Sequence, residues 1–281
     1  MLLSRWFYYL SSIPTLLTGI KNLHSAMATF LRRHPHKPFM LELRDGSRFY
    51  VRTLMDIWIL KEAYLDRQYE RVSIEIQDRW TILDIGAGIG DFAIGVAKRH
   101  PQSTLYAYEP FPESYALLQE NLRLNGIENV KAFPLAISGK KDSLQLHLIT
   151  SEPVQHSTAV EKHPAHNSIS VPNTTLDQAL TELELPYCDY LKMDCEGAEY
   201  DILFNTSPNT LKKIRHICLE HHDGVTPYSH TDLIRFLERH GFQVRHTPNP
   251  VHRHLGFVCG TEWLIPPGIA HVFFSLRSSL L

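Results

Sequence analysis

Cysteine is scarce in this sequence: there are four in 281 residues, and no two of them form a C-x-x-C pair. A disulfide framework or a closed cysteine-ligated zinc site would need a different spacing. Three of the four stand inside apolar runs. We therefore expect small, buried core residues in a protein from a reducing compartment. The four are Cys188, Cys195, Cys218 and Cys259.

An excess of charge of one sign is also missing. Lys and Arg number 28 against 30 Asp and Glu, which gives a formal net charge of -2. Broad nucleic-acid binding needs a basic surplus that displaces counterions, so we expect no nucleic-acid partner. Hydrophobic residues at 43% and charged residues at 21% are typical of a globular protein. The length fits one large α/β domain with an extension.

No long uninterrupted hydrophobic run is present. Residues 1–20 are apolar, but Arg5 and several small polar residues interrupt them, and Pro14 is expected to break the segment. A signal peptide needs a small-x-small cleavage site, and residues 25–28 (Ser-Ala-Met-Ala) make a poor one. We therefore expect a packed or peripheral pair of helices in a cytoplasmic protein. Weak contact of residues 1–20 with a membrane surface is the alternative.

From residue 81 onward, short apolar runs alternate with helical patterns. This alternation predicts a parallel sheet with right-handed crossovers. The predicted fold is α/β: a seven-stranded, mostly parallel sheet with helices on both faces, preceded by an N-terminal helical and hairpin section. The strand patterns lie at 81–85, 105–108, 130–137, 187–193, 216–219, 242–245 and 255–259.

Two segments depart from the alternation. Residues 39–52 alternate apolar and polar around Asp45-Gly46, which predicts a β-hairpin, and residues 54–79 carry helical periodicity. Residues 144–148 and 168–171 alternate like exposed antiparallel strands, which predicts a second hairpin with the long polar loop 151–167 between them. The predicted parts of the chain are a helical extension (1–38), a hairpin and helix (39–80), the main domain (81–265) and a C-terminal tail (266–281).

The strongest motif is an apolar strand that ends at Asp84 and runs into Gly86-Ala87-Gly88-Ile89-Gly90. Glycines let the backbone turn tightly and let a ligand approach without interference from Cβ atoms. The helix predicted after the loop offers free N–H groups at its N-terminus. Because open parallel sheets bind ligands at the carboxyl ends of their strands, this loop is the expected ligand site.

The spacing of the glycines and the charges beside them indicate which ligand the loop binds. Dinucleotide folds carry G-x-G-x-x-G, whereas the spacing here is G-x-G-x-G. Asp91 opens the following helix, where a carboxylate opposes a pyrophosphate but suits a cation, and Asp84 can face a cationic amino-acid group. These charges favour S-adenosylmethionine, which carries a sulfonium and an ammonium. Glu109 ends the second strand and can accept the ribose hydroxyl hydrogens, which supports an adenosine without choosing the cofactor.

Acidic and histidine side chains follow two later strands. Asp194 ends one of them, where it is a candidate for general base, acceptor-orienting group or metal ligand. Glu220 and His222 end the next strand and reach the same edge of the sheet, and a histidine there is a further candidate base. Capping of a helix N-terminus explains Glu196 and Glu199 as well as a functional role does.

A metal is compatible with these residues but is not expected. Glu220 with His222, or Asp194 with Asp223, offers ligands for a hard divalent cation such as Mg²⁺. Chance clusters are common in a chain with 17 histidines. The remaining histidine groups lack the paired spacing of a closed zinc site, so we expect them to be exposed loop residues. They are His156, His163, His166, His252 and His254.

Five stretches together resemble the FkbM-type methyltransferases, over roughly residues 40 to 247. They read TILDIGAGIGDFAI (81–94), YAYEPFPESYALLQENLRLNG (106–126), NTTLDQAL (173–180), YLKMDCEGAEYDILF (190–204) and CLEHH (218–222). The resemblance implies a class I methyltransferase (Rossmann-like) fold and S-adenosylmethionine as cofactor. It also implies methyl transfer to oxygen, commonly a hydroxyl of a sugar, polyketide or related metabolite.

The predicted function is therefore O-methylation of a small-molecule or glycan acceptor. A nicotinamide-dependent oxidoreductase and a non-catalytic binding module with the same fold are the alternatives. The candidate catalytic residues are Asp194, Glu220 and His222. The expected cofactor contacts are Asp84, Gly86, Ala87, Gly88, Gly90, Glu109, Pro110 and Ala136.

Overall fold

The computed structural model describes residues 2–31, 38–141, 144–147 and 168–263. It begins with the expected pair of helices, α1 (Leu2–Gly19) and α2 (Leu23–Leu31). The expectation that Pro14 breaks the first helix is wrong, because α1 continues through it. A proline inside a helix removes one hydrogen bond, here the one to the carbonyl of Leu10, and Leu10 lies at the exposed surface.

None of the described helices combines the length and the hydrophobicity that crossing a membrane requires. Helix α1 exposes Leu10, Ile13 and Leu17, which lie at helical spacing on one side. Contact of residues 1–20 with a membrane surface stays a prediction.

The first hairpin is confirmed. Strand β1 (Phe39–Glu42) pairs antiparallel with β2 (Arg48–Val51), and Gly46 takes the positive φ of 87° that the turn requires. The helical segment that follows is shorter than predicted. It comprises α3 (Leu54–Leu60), a π-helical turn (Lys61–Leu65) and α4 (Gln68–Val72), and it ends before residue 73.

The seven-stranded sheet is confirmed, in the order β12-β13-β11-β10-β3-β4-β5. Neighbours from β11 to β5 are parallel, and β13 is antiparallel to both β11 and β12. The strands are β3 (Thr81–Ile85), β4 (Thr104–Tyr108), β5 (Val130–Phe133), β10 (Cys188–Met193), β11 (Ile214–His222), β12 (Phe242–Pro248) and β13 (Leu255–Glu262).

Helices cover both faces of this sheet. On one face, α5 and α6 share a core with the N-terminal section, so that Leu41, Leu60, Ile82 and Phe92 belong to one buried cluster. The other face packs against α7, α8 and α10, and Leu83 lies in that second cluster. The crossover helices are α5 (Asp91–Arg99), α6 (Pro112–Leu124), α7 (Leu176–Glu182), α8 (Glu199–Phe204), α9 (Pro208–Leu211) and α10 (His230–Arg239).

Two small strand pairs lie beside the main sheet. Strand β6 (Ala136–Ile137) pairs with β9 (Asn173–Thr174), and β7 (Leu144–His147) pairs antiparallel with β8 (Ser168–Val171). The second hairpin is therefore confirmed, but its strands are not simply exposed: Leu146 and Val171 are buried in a small cluster. The loop 151–167 with its histidines, and the tail 266–281, lie outside the described residues.

Candidate cofactor-binding and active site

A cleft with about 980 Å³ of empty space, open to solvent, lies at the carboxyl ends of β3, β4 and β10. Five predicted cofactor contacts line it: Gly86, Gly88, Glu109, Pro110 and Ala136. Asp84, Ala87 and Gly90 are buried and are not among the described residues that line the cleft. The N-terminal section and the second hairpin complete its wall, an arrangement that local motifs did not indicate. They contribute Asp56, Ile59, Leu144 and Leu146.

The glycine loop is held in a conformation that only glycine adopts easily. Gly86, Gly88 and Gly90 have φ values of 75°, 55° and 91°. A Cβ atom on Gly86 would lie 1.9 Å from the carbonyl oxygen of Asp194. The loop backbone is therefore packed directly against the end of β10, and it leaves open space toward the cleft for a ligand.

Asp84 does not reach the cleft, because its carboxylate is engaged by Lys192. The Lys192 Nζ lies 2.9 Å from Asp84 Oδ1 and donates a hydrogen bond of 2.7 Å to the carbonyl of Gly86. Lys192 itself lines the cleft. Lys192 was not among the predicted site residues, although a lysine inside a buried strand is unusual enough to indicate a role.

Glu109 stands at the end of β4 with its carboxylate in the cleft. Its two oxygens accept hydrogen bonds from the backbone N–H of Gly88 at 2.8 Å and of Phe111 at 2.9 Å. Burial raises the pKa of Glu109 to about 7. The two backbone donors fix the carboxylate beside the glycine loop, and its remaining lone pairs can accept hydroxyl hydrogens from a ligand.

Asp91 places a second carboxylate in the cleft, at the first position of α5. Its side chain lines the cleft, and burial raises its pKa to about 7. A buried carboxylate without a full counter-charge attracts a cation and repels a phosphate. The negative charge at this helix start therefore agrees with a cationic ligand.

Asp194 lies just after β10, where its backbone packs against Gly86. Its Oδ2 accepts a hydrogen bond of 2.8 Å from the hydroxyl of Tyr69, which belongs to α4. Both Asp194 and the neighbouring Glu196 line the cleft. Tyr69 was not anticipated, because nothing local in the sequence connects α4 with a strand more than a hundred residues away.

Glu196 has a left-handed backbone, with φ of 51°, which is uncommon for a residue other than glycine. Such strain is found where the surroundings hold a functional side chain in place. Glu199 fixes the backbone on both sides of Glu196. Its carboxylate accepts hydrogen bonds from the backbone N–H of Cys195 at 2.6 Å and of Gly197 at 3.0 Å. Burial raises the pKa of Glu196 to about 7.

His222 lies between these two acids. Its Nε2 is 3.4 Å from Glu196 and its Nδ1 is 3.4 Å from Glu199. Burial alone would lower the pKa of His222, but the two carboxylates outweigh it and raise that pKa well above its usual value. A protonated imidazole cannot accept another proton, so this shift disfavours His222 as a general base.

Glu220 is partly buried and is not among the described residues that line the cleft. Burial, reinforced by Asp194, raises its pKa well above its usual value. Asp194, Glu196 and His222 have possible ligand atoms within 4.8 Å of one another. The predicted pairing of Asp194 with Asp223 does not form a described metal group, since Asp223 contacts His221 and His230 instead.

The cysteines and the described loop histidines only partly match the expected burial. Cys188, Cys218 and Cys259 are buried, whereas Cys195 is only half-buried and lines the cleft. His254 is exposed and His252 is partly buried.

The fold and the cleft define a class: an α/β protein with a glycine loop and an open cleft at the carboxyl ends of its parallel strands, where proteins of this architecture bind ligands. Residues 84–244, more than half of the chain, match the model of the methyltransferase FkbM domain. The chain therefore belongs to this methyltransferase family.

Three relatives illustrate how far the similarity extends. The hexuronic acid methyltransferase AglP of Haloferax volcanii is 25% identical, over 67% of this chain and 76% of its own length. The 31-O-demethyl-FK506 methyltransferase FkbM of Streptomyces tacrolimicus is 24% identical, over 69% and 84%. The AMB antimetabolite synthetase AmbE of Pseudomonas aeruginosa is 27% identical over 73% of this chain, but the match spans only 11% of AmbE.

Proposed function

We propose that this protein transfers the methyl group of S-adenosylmethionine to a hydroxyl oxygen of a sugar, glycan or secondary metabolite. One observation carries the proposal. The residues that line a single cleft form two groups, called here the first wall (the glycine loop and Glu109) and the second wall (Asp194 and Glu196). Groups suited to an adenosine and groups suited to a hydroxyl acceptor therefore face the same space.

The residues of the first wall fit the cofactor. Gly86 and Gly88 present backbone without side chains, and Glu109 can accept hydrogen bonds from the two ribose hydroxyls. Asp91 supplies negative charge toward a cationic group. When bound, S-adenosylmethionine supplies an electrophilic methyl group on a sulfonium. Lys192 acts indirectly, by holding the carbonyl of Gly86 and the carboxylate of Asp84.

The residues of the second wall suit a hydroxyl acceptor. Glu196 lines the cleft, and with a pKa near 7 it can take the hydroxyl proton at neutral pH. Asp194, oriented by Tyr69, can accept a hydrogen bond from the same hydroxyl and fix its direction. His222 keeps Glu196 in place through their ion pair. Asp194 therefore stays a candidate catalytic residue, and His222 becomes a positioning residue. Glu220 is not among the described residues that line the cleft.

Two arguments support oxygen as the acceptor atom: the acidic side chains of Asp194 and Glu196 in the cleft, and the names of relatives in the FkbM family. AglP is named for a hexuronic acid and the Streptomyces relative for an O-demethyl substrate. A carboxylate base is matched to a neutral hydroxyl, whose proton must leave as the new bond forms.

The test is a transfer assay with methyl-labelled S-adenosylmethionine and a panel of sugars and lipid-linked glycans, each paired with the analogue that lacks one hydroxyl. We expect label in one hydroxyl acceptor and none in its deoxy analogue. Equal labelling of the two members of every reactive pair would contradict transfer to that oxygen. Labelling of amines alone would contradict O-methylation.

A further inference from the structure

Three histidines meet on the face of the sheet that carries α10, away from the cleft. His221 comes from β11, His246 from β12, and His230 is the first residue of α10. Their possible ligand atoms all lie within 4.8 Å of one another. The Nε2 atoms of His221 and His246 are 3.1 Å apart, and the ring of His230 stacks on that of His246 with centroids 4.4 Å apart.

The carboxylate of Asp223 lies next to two of these imidazole rings. Its Oδ2 lies 2.6 Å from Nδ1 of His230, and its Oδ1 lies 3.2 Å from Nδ1 of His221. Asp223 is itself fixed by the hydroxyl of Tyr200 at 2.7 Å and by the backbone N–H of His230. Both rings therefore turn Nδ1 toward a carboxylate, which leaves Nε2 for another partner. Metal-bound histidines in proteins usually have this arrangement.

The strand between His221 and His246 leaves room for them. Gly256 of β13 is the register partner of His221, and β13 lies between β11 and β12. A Cβ atom on Gly256 would lie 2.7 Å from Nε2 of His221. The missing side chain allows the His221 ring to lie over β13 and approach His246.

We propose that His221, His230 and His246 bind a zinc ion, with a fourth coordination position open to water. Imidazole is a ligand that Zn²⁺ prefers, and three protein ligands with one open position form a common zinc geometry. Two nitrogens at about 2.0–2.1 Å from a tetrahedral ion lie roughly 3.3 Å apart, close to the separation of the His221 and His246 nitrogens.

The cluster is accessible from outside the protein. His221 is buried, whereas His230 and His246 are partly exposed, so an ion can enter from solvent.

The ion would join β11, β12 and α10 near the carboxyl end of β11. The next residue after His221, His222, instead contacts Glu196, which lines the cleft. The proposed ion lies on the other side of the strand from the acceptor groups, so it takes no part in the proposed methyl transfer. This inference does not depend on the proposed methyl acceptor.

The test is a titration of the chelator-stripped, full-length protein with Zn²⁺ in competition with a chromophoric chelator. We expect one tightly bound equivalent. Loss of one ligand in His246→Ala should weaken binding at least about 100-fold, and Asp223→Asn should weaken it about 10- to 100-fold, as for other outer partners of metal ligands. His24→Ala, which removes an exposed histidine of α2, should leave binding unchanged.

His246 lies on the edge strand and is partly exposed, so its substitution should preserve the fold, which circular dichroism and S-adenosylhomocysteine binding can verify. Zn²⁺ should raise the Tm of the wild type but not of folded His246→Ala. Two results would overturn the proposal. One is the absence of a tight equivalent in the wild type. The other is undiminished Zn²⁺ binding in His246→Ala. If His222→Gln then abolished the binding, the ion would lie in the cleft.

Discussion

Lys192 and Asp84 form a buried ion pair across two neighbouring strands, with Nζ 2.9 Å from Oδ1 and both side chains at most 3% exposed. The same Nζ donates a hydrogen bond to the carbonyl of Gly86. The end of β3, the glycine loop and the end of β10 are thereby joined at one point. Asp194 follows Lys192 by two residues, so this pair lies between the glycine loop and Asp194.

Lys192→Met should destabilise the protein by about 3–5 kcal/mol, because it leaves the Asp84 charge buried without a partner. Chemical denaturation with urea measures this as a lower midpoint. Lys212→Met, at an exposed lysine, serves as the matched control. The double variant Asp84→Leu/Lys192→Met should recover most of the lost stability. A single variant as stable as the control would show that the pair is not needed.

Asp194→Asn should abolish turnover while leaving the affinity for S-adenosylhomocysteine nearly unchanged. The amide keeps the shape of the side chain but loses the negative charge that orients a hydroxyl. Steady-state rates and calorimetric titration of the same preparation separate the two effects. Tyr69→Phe, which removes the hydroxyl that holds Asp194, should lower kcat to a smaller extent. Turnover at the wild-type rate would remove Asp194 from the catalytic candidates.

Glu196→Gln should lower kcat by about 10²–10⁴-fold, the usual contribution of a general base. In the wild type, log kcat should rise with pH and level off above about pH 7, where Glu196 loses its proton. The groups that face Glu196 are Asp194, Glu199 and His222. The variant should lose this rise, whereas an unchanged pH profile would assign the proton transfer to another group.

Asp91→Asn should make the protein without cofactor more stable at pH 8 and no more stable at pH 4. Burial raises the pKa of Asp91 from 3.8 to about 7. The folded state therefore binds this proton more tightly than the unfolded state, and the associated stability, complete below about pH 4, is lost as pH rises toward 7. The expected gain at pH 8 is at least about 1 kcal/mol.

Thermal or urea unfolding at the two pH values measures this difference. Glu113→Gln serves as the control, because Glu113 is an exposed acidic residue in the first turn of α6. Asp91→Asn should also bind S-adenosylmethionine more weakly than the wild type. Equal stability of Asp91→Asn and Glu113→Gln at pH 8 would contradict the buried charge at the start of α5.

Sequence patterns predicted the elements whose signals are local. The alternation of apolar runs gave the seven strands, and Asp45-Gly46 marked the first hairpin with a turn that needs positive φ. The sequence placed the glycine loop and Glu109 at one edge of the sheet, because strand ends and turn residues are adjacent in the sequence, and both line the cleft. Pro14 was misjudged, since one lost hydrogen bond at an exposed turn does not end a helix.

Contacts between distant segments could not be predicted in this way. The hydroxyl of Tyr69 donates a hydrogen bond to Asp194, which is far away in the sequence. Lys192 forms an ion pair with Asp84, whose carboxylate was expected to face the ligand. Likewise, Leu146 was expected in an exposed strand, but it is largely buried and lines the cleft. In each case the partner is set by tertiary packing, which a pattern along the chain does not encode.

The central claim is that the glycine loop and Glu109 bind S-adenosylmethionine. Calorimetric titration of the purified protein with its product, S-adenosylhomocysteine, and with NAD as the control, tests it most directly. We expect micromolar binding of S-adenosylhomocysteine and no binding of NAD. Binding of NAD with none of S-adenosylhomocysteine would contradict the proposed function and restore the nicotinamide-dependent alternative.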